Sequence, residues 1–379
     1  MKSDLVKLRK DIHQYPEISG KEKKTAERIH KELQLFNPDD ILTGLGGNGI
    51  LAHFKCRSAK PKKSILFRAE LDAISVREET GVSYQSQNEN AMHGCGHDGH
   101  MTILIGLAKW LNENRPEHAD VYLLFQPAEE TGEGAAKVLE DSRFRELKID
   151  HGFALHNLPG FPEKTVICKK NTFAAGSIGI EISVKGSFSH AAYPEKGLNP
   201  SLTVAKLIQR IENEMEPFRS EHEGNKLVCT FITMGERAFG ISPGLAKIGF
   251  TIRSESDEKF QECAAQIQKL IKDVSKSFGG KITSKEVEPF RATVNSSEGT
   301  EIVKKVTEKN GLEYQNLDKP FPWSEDFGEF RRQFPITIFG LGAGEDHPPL
   351  HSEKYDFNDK LIPTGITMFA GIVDYYSSL

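Results

Sequence analysis

The stretch His93-Gly94-Cys95-Gly96-His97-Asp98-Gly99-His100 places imidazole, thiol and carboxylate side chains between glycines. Those are the groups that bind divalent transition metals. Glycine lets the backbone turn tightly enough to bring near neighbours onto one centre. The apolar run Met101–Leu111 follows at helical spacing, so the cluster is expected at a helix start. Glu129-Glu130, His156 and His351 come later, each at an expected strand end or loop. Cys95, His97, Glu130, His156 and His351 offer more donors than one tetrahedral zinc requires, and a catalytic zinc keeps a position open for water. That donor set fits two divalent metals better than one, with the Cys95 thiolate as the bridge. Glu129 stands next to a ligand. On an extended segment it points elsewhere and is placed to act as a general base toward water. Asp72, at the end of an apolar run, is placed to orient His97 through that ring's other nitrogen.

Each of these residues also has a plainer reading. A lone Glu-Glu pair is most often a solvated face, His156 could be a core histidine, and His351 could be a loop residue beside Pro348-Pro349. His93 and His100 read as scaffolding rather than ligands, and His347 is left out of the ligand set. The main rival chemistry is a cysteine-nucleophile amidase built on Cys95. His97 lies only two positions away, whereas such a base normally comes from a distant segment. A non-catalytic binding protein on the same fold is the other alternative.

Positioning these groups takes a large scaffold. With 379 residues there is length for two domains and a sizeable core. A net charge of -5, with basic residues spread along the chain, speaks against a nucleic-acid surface. Five cysteines without paired spacing argue against a disulfide framework and for a reducing, cytoplasmic setting. No apolar run reaches the ~20 residues that span a bilayer. Helices are expected over residues 4–13, 21–36, 300–309, 324–333 and 359–376, besides the one after the cluster. Strands are expected over residues 50–54, 64–71, 121–126, 151–155 and 336–341. Strands alternating with helices imply an α/β domain, a central sheet with helices on both faces. Between residues 177 and 288 the pattern changes to strand–helix–strand–strand–helix–strand, the order of a ferredoxin-like unit. The expected organisation is therefore a discontinuous catalytic domain, residues 1–176 and 289–379, with an inserted domain, residues 177–288.

Several stretches in register resemble the aminoacylase and carboxypeptidase family of dimetal amidohydrolases. They are Arg9–Ile18, Phe67–Ala73, His93–His100, Phe125–Glu130, Leu155–Gly160, Gly186–Ala192, Ser324–Phe327 and Leu350–Ser352. The likeness is greatest to the N-acyl-amino-acid amidohydrolases, the group of auxin-conjugate hydrolases and N-acetyl-diaminopimelate deacetylases. The resemblance implies a phosphorylase/hydrolase-like catalytic domain and a lid that also forms a homodimer. It implies two metal ions (zinc, manganese, cobalt or nickel) on Cys95, His97, Glu130, His156 and His351. Glu129 would be the catalytic acid and base, with a hydroxide on the metals attacking the amide of a small N-acyl amino acid. His190 would stabilise the oxyanion, in relatives from a partner subunit. Arg253 matches a strand-end arginine suited to the substrate carboxylate. Glu70 stands where the family usually has Asp, Ser75 where it often has Pro, and Gly240 where it tends to have Asn.

Overall fold

The computed structural model describes residues 2–378, with side chains from residue 4 onward. Apolar runs at Ala119–Gln126, Lys63–Glu70, His151–Pro159 and Ile336–Gly344 form four adjacent parallel strands. Gly49–Phe54 and Asp40–Leu45 add antiparallel strands at one edge, and Val166–Cys168 and Tyr314–Asn316 complete the other. The result is a mixed eight-stranded sheet. Every residue of Ala119–Gln126 is buried, as expected for a strand covered on both faces.

Period-two alternation sends Ile65, Phe67 and Ala69 into the main core with Phe125, Phe153 and Phe339. The helices Lys2–His13, His97–Glu113 and Leu361–Ser377 close that core with Leu8, Leu104 and Met368. Phe67 is wholly buried. Truncating such a ring costs about 3–5 kcal/mol. All these elements belong to one compact unit: residues up to Phe173, Thr293–Pro320, and Asp326 onward.

A second compact unit comprises Ala174–Ala292 with Phe321–Glu325. Its antiparallel sheet runs in the order Lys226–Met234, Leu245–Ser254, Gly176–Lys185, Lys281–Phe290. Ile178, Ile180, Ile182 and Val184 alternate into its core against Leu207 of the helix Ser201–Glu214 and Ile267 of the helix Asp257–Ser275. The segment Phe321–Glu325, read from sequence as part of the C-terminal block, clusters with this unit. The Ala175 N–H donates to the Phe321 carbonyl at 3.0 Å, and Arg253 donates to Ser324.

Three expectations about elements need correction. The helix expected over residues 324–333 is a 3-10 helix, Asp326–Arg332. The strand ending at Leu155 continues to Pro159 because it pairs with Ile336–Gly344 along that length, so His156 lies within a strand. Asp40–Leu45, Val166–Cys168 and Tyr314–Asn316 were not foreseen. They are short, and pairing at or near the sheet margins selects them more than local pattern does.

Candidate metal centre

The predicted donors come from four places in the first unit. Cys95 precedes the helix that begins at His97. The intervening Gly96 has φ 91°, and a Cβ there would overlap Asn157 and crowd Tyr355, so only glycine fits. Glu130 follows the strand Ala119–Gln126, His156 lies in His151–Pro159, and His351 follows Ile336–Gly344. The ends of parallel strands are where sites form in α/β sheets.

Tertiary structure brings these donors together. Cys95 Sγ lies 3.5 Å from His156 Nε2. His97 Nε2 is 3.9 Å from Glu130 Oε1, and His351 Nε2 is 3.5 Å from Glu130 Oε2. Two convergent groups, Cys95/His97/His156 and Cys95/Glu130/His351, share the Cys95 sulfur, each with donor atoms within 4.8 Å of one another. A sulfur common to two donor sets is one that two neighbouring cations would share as a thiolate. Both His351 (φ 65°) and Ala128 (φ 51°) adopt the left-handed region, which costs a non-glycine residue about 1–3 kcal/mol. The surrounding structure therefore over-determines the backbone on two sides of the cluster.

Main-chain carbonyls fix the ring orientation of two of the histidines. His97 Nδ1 donates to the Asp72 main-chain carbonyl at 2.8 Å, and His156 Nδ1 donates to the Asn157 carbonyl at 2.8 Å. Each ring thus presents the Nε2 lone pair to the centre. The Asp72 carbonyl, rather than its carboxylate, is the close partner of His97; Asp72 Oδ1 is 3.6 Å away. The other carboxylate oxygen accepts from the Glu130 N–H at 3.0 Å and from Ser19 Oγ at 2.7 Å. Asp72 therefore steadies two elements of the cluster at once.

Burial disfavours a charged His97 ring, but the Glu70 charge and the hydrogen bond to Asp72 outweigh it and lift its pKa to about 10, so a cation there would take the place of the Nε2 proton to reach that lone pair. Burial, together with nearby His100, pushes His156 down to about 3, so it stays a neutral donor. The hydrogen bond to Glu130 raises His351 despite its partial burial. His97 Nε2, Glu130 Oε1 and Asp72 Oδ1 are buried without a hydrogen-bond partner. Such atoms are costly unless an electrophile satisfies them. The residues present therefore fit divalent cations.

Glu129 is buried beside the donors, with Oε2 3.9 Å from His97 Nε2 and Oε1 accepting from the Asp326 N–H at 3.3 Å. The expected divergence of Glu129 and Glu130 along an extended segment is incorrect. The pair lies in a turn closed by Gly132 N–H to Glu129 O at 2.8 Å, and both carboxylates reach the His97 ring edge.

His190 and Arg253 lie in the second unit. His190 is exposed on a short ribbon paired with Ile241–Ser242. Its Nδ1 accepts the Ala192 N–H at 3.0 Å, so the neutral ring carries its proton on Nε2 and is an outward donor. Arg253 Nη1 donates to Ser324 Oγ and the Pro322 carbonyl. It has no carboxylate partner among the described residues, and its Nε and Nη2 have no protein acceptor there.

His100 is a scaffold residue: Nδ1 meets Glu70 Oε2 at 2.7 Å and Nε2 meets Asn157 Oδ1 at 2.6 Å. Sequence reasoning missed Asn157, Tyr355 and the buried polar group Arg68, Gln126 and Asp326. The available signal was the polar residues that interrupt the apolar run at 64–71.

Residues 66–375 match the peptidase family M20/M25/M40. The chain is 29% identical to an N-acetyldiaminopimelate deacetylase of Bacillus subtilis over 99% of each chain. It is 30% identical to a hippurate hydrolase of Campylobacter jejuni, over 99% of this chain and 97% of that one. Among solved structures it resembles a putative aminohydrolase from methicillin-resistant Staphylococcus aureus (TM-score 0.84, 24% identity, covering 99% and 96%). It also resembles a dinuclear metal-binding M20 peptidase of Bacillus subtilis (TM-score 0.79, 23% identity, covering 99% and 98%), and both likenesses bear on the fold. A metal-ready cluster on this sheet, with a family match across most of its length, leads to one assignment: the chain belongs to peptidase family M20/M25/M40.

Proposed function

We propose that this protein hydrolyses the amide bond of N-acyl amino acids or related small conjugates. It is a metal-dependent amidohydrolase whose centre takes two divalent ions. The observation that carries the reading is Glu129, a buried carboxylate facing the same space as the converging donors. The relatives' names, an N-acetyldiaminopimelate deacetylase and a hippurate hydrolase, support small amide substrates.

Cys95, His97, Glu130, His156 and His351 hold the cations, and Asp72 aligns His97 and Glu130. Bound there, zinc, manganese, cobalt or nickel supplies Lewis acidity toward a carbonyl and makes water acidic near neutral pH. Glu129 takes the proton of the attacking water and returns it to the leaving amine. His190 donates its Nε2–H to the oxygen on which negative charge develops. The free edge of the Arg253 guanidinium takes the carboxylate of the amino-acid half.

The second unit is read as a ferredoxin-like lid, on its element and strand order. A homodimer through it is supported by the edge strand Lys226–Met234, which exposes Val228, Phe231 and Ile232. None of the five cysteines forms a disulfide, in keeping with a reducing cytoplasmic setting. No described helix is long and apolar enough to cross a membrane. A cysteine nucleophile would use the Cys95–His156 contact at 3.5 Å or the nearby His97 ring. His156 is backed by a main-chain carbonyl rather than a carboxylate, and that reading leaves Glu129 idle.

The test is Glu129→Gln, assayed on a panel of N-acyl amino acids. The rate should fall by about 10²–10⁴-fold with metal content unchanged. Loss of metal in step with activity would make Glu129 a ligand. Activity that survives a chelator but not a thiol reagent would reinstate the cysteine mechanism.

A further inference from the structure

We infer that Asp326 is a positioning residue for Glu129, tying both ends of the Glu129-Glu130 segment to the sheet. Its carboxylate is wholly buried. Oδ1 accepts from Arg68 Nη2 at 2.5 Å and from Gln126 Nε2 at 2.9 Å. Oδ2 accepts from Gln126 Nε2 at 2.8 Å and from the Ala135 N–H at 2.9 Å. Gln126 ends the strand before Glu129, and Ala135 lies in the first turn of the helix Gly134–Glu140 after it. Arg68 Nε also grips Gln126 Oε1 at 2.9 Å, so the three side chains hold one another. Asp326 then donates its own N–H to Glu129 Oε1 at 3.3 Å.

The segment between these anchors has little freedom. Gly134 N–H bonds to the Ala128 carbonyl at 3.0 Å, and a Cβ on Gly134 would overlap the Pro127 carbonyl. A buried carboxylate is tolerable only because a guanidinium and N–H donors surround it. Breaking that set moves the anchors, and Glu129 moves with them. Proton transfer needs the carboxylate within about 2.6–3.2 Å of its partner, and a misplacement near 1 Å can cost ~10²-fold in rate.

This inference rests on Glu129 being the proton carrier. Asp326→Asn keeps the size but turns an amide N–H₂ toward donors. In the metal-loaded enzyme kcat should fall ~10–100-fold, with KM within about twofold and metal content per chain as in wild type. Gln126→Met is the milder second variant. It keeps the Arg68–Asp326 pair and should lower kcat several-fold with the same split; it decides alone if Asp326→Asn does not fold. A folded, metal-replete variant with wild-type kcat overturns the inference. So does metal loss in proportion to rate, which would assign the network to Glu130. Failure of the underlying reading is recognised separately, by a wild type inert across the panel or a Glu129→Gln enzyme of undiminished rate.

Discussion

At the residue scale, the centre depends on which nitrogen of each ring is left free. Carbonyl acceptors at the Nδ1 of His97 and His156 leave their Nε2 atoms to the cluster, whereas the Ala192 N–H at Nδ1 leaves the exposed His190 with Nε2 as a donor. His190→Ala should lower kcat by about 10²–10³-fold, the usual worth of one oxyanion donor. KM and metal content should change little. His190→Gln, which keeps an N–H donor, should recover part of the loss. An alanine variant as fast as wild type would leave His190 as a turn residue bonded only to its own loop.

At the element scale, the start of the helix His97–Glu113 decides whether the donors meet. Gly96 allows the left-handed turn that sets Cys95 and His97 on one centre, against Asn157 and Tyr355. Gly96→Ala should cost at least ~1–3 kcal/mol from the backbone strain. It should also weaken metal retention in dialysis more than it lowers the melting temperature. A variant that keeps its metals through dialysis would show that the turn can relax without moving Cys95. The exposed edge strand makes a second prediction at this scale. If the proposed homodimer forms through this strand, Ile232→Lys should shift it to monomer in light scattering, and a dimer that persists would place its interface elsewhere.

At the scale of the whole molecule, a buried ionic network ties the first helix to the one that begins at His97. Arg9 pairs with Asp98, Asp356 and Asp359, and His13 bridges Asp98 and Glu78. Burial would lower the His13 pKa, but its hydrogen bonds to Asp98 and Glu78 prevail and raise it from 6.5 to about 9. Against its own burial, Asp98 is held well below the carboxylate range by His13 and Arg9. A raised histidine contributes its full stability below pH 6.5 and loses it as pH climbs through about 9. The depressed aspartate contributes above about pH 3.8 and loses its share as pH falls. His13→Gln should therefore be less stable than wild type near pH 6, with the gap in melting temperature narrowing toward pH 9 at saturating metal. A gap of constant width would mean that the ring contributes packing rather than charge.

The sequence by itself determined the donor types, the α/β alternation and the change of pattern near residue 177. Metal chemistry depends on side-chain type, and buried strands and amphipathic helices on local periodicity. His156 and His351 lie far along the chain from Cys95, and their motifs pointed to a centre without giving its geometry. Only the tertiary structure decided that Cys95 belongs to two donor groups. It also decided that Glu129 and Glu130 share a turn and that Asp326 meets Arg68 across 258 positions of chain. Those facts depend on parallel strands that are neighbours in the sheet but distant in sequence. No local pattern encodes which buried charge will find which partner.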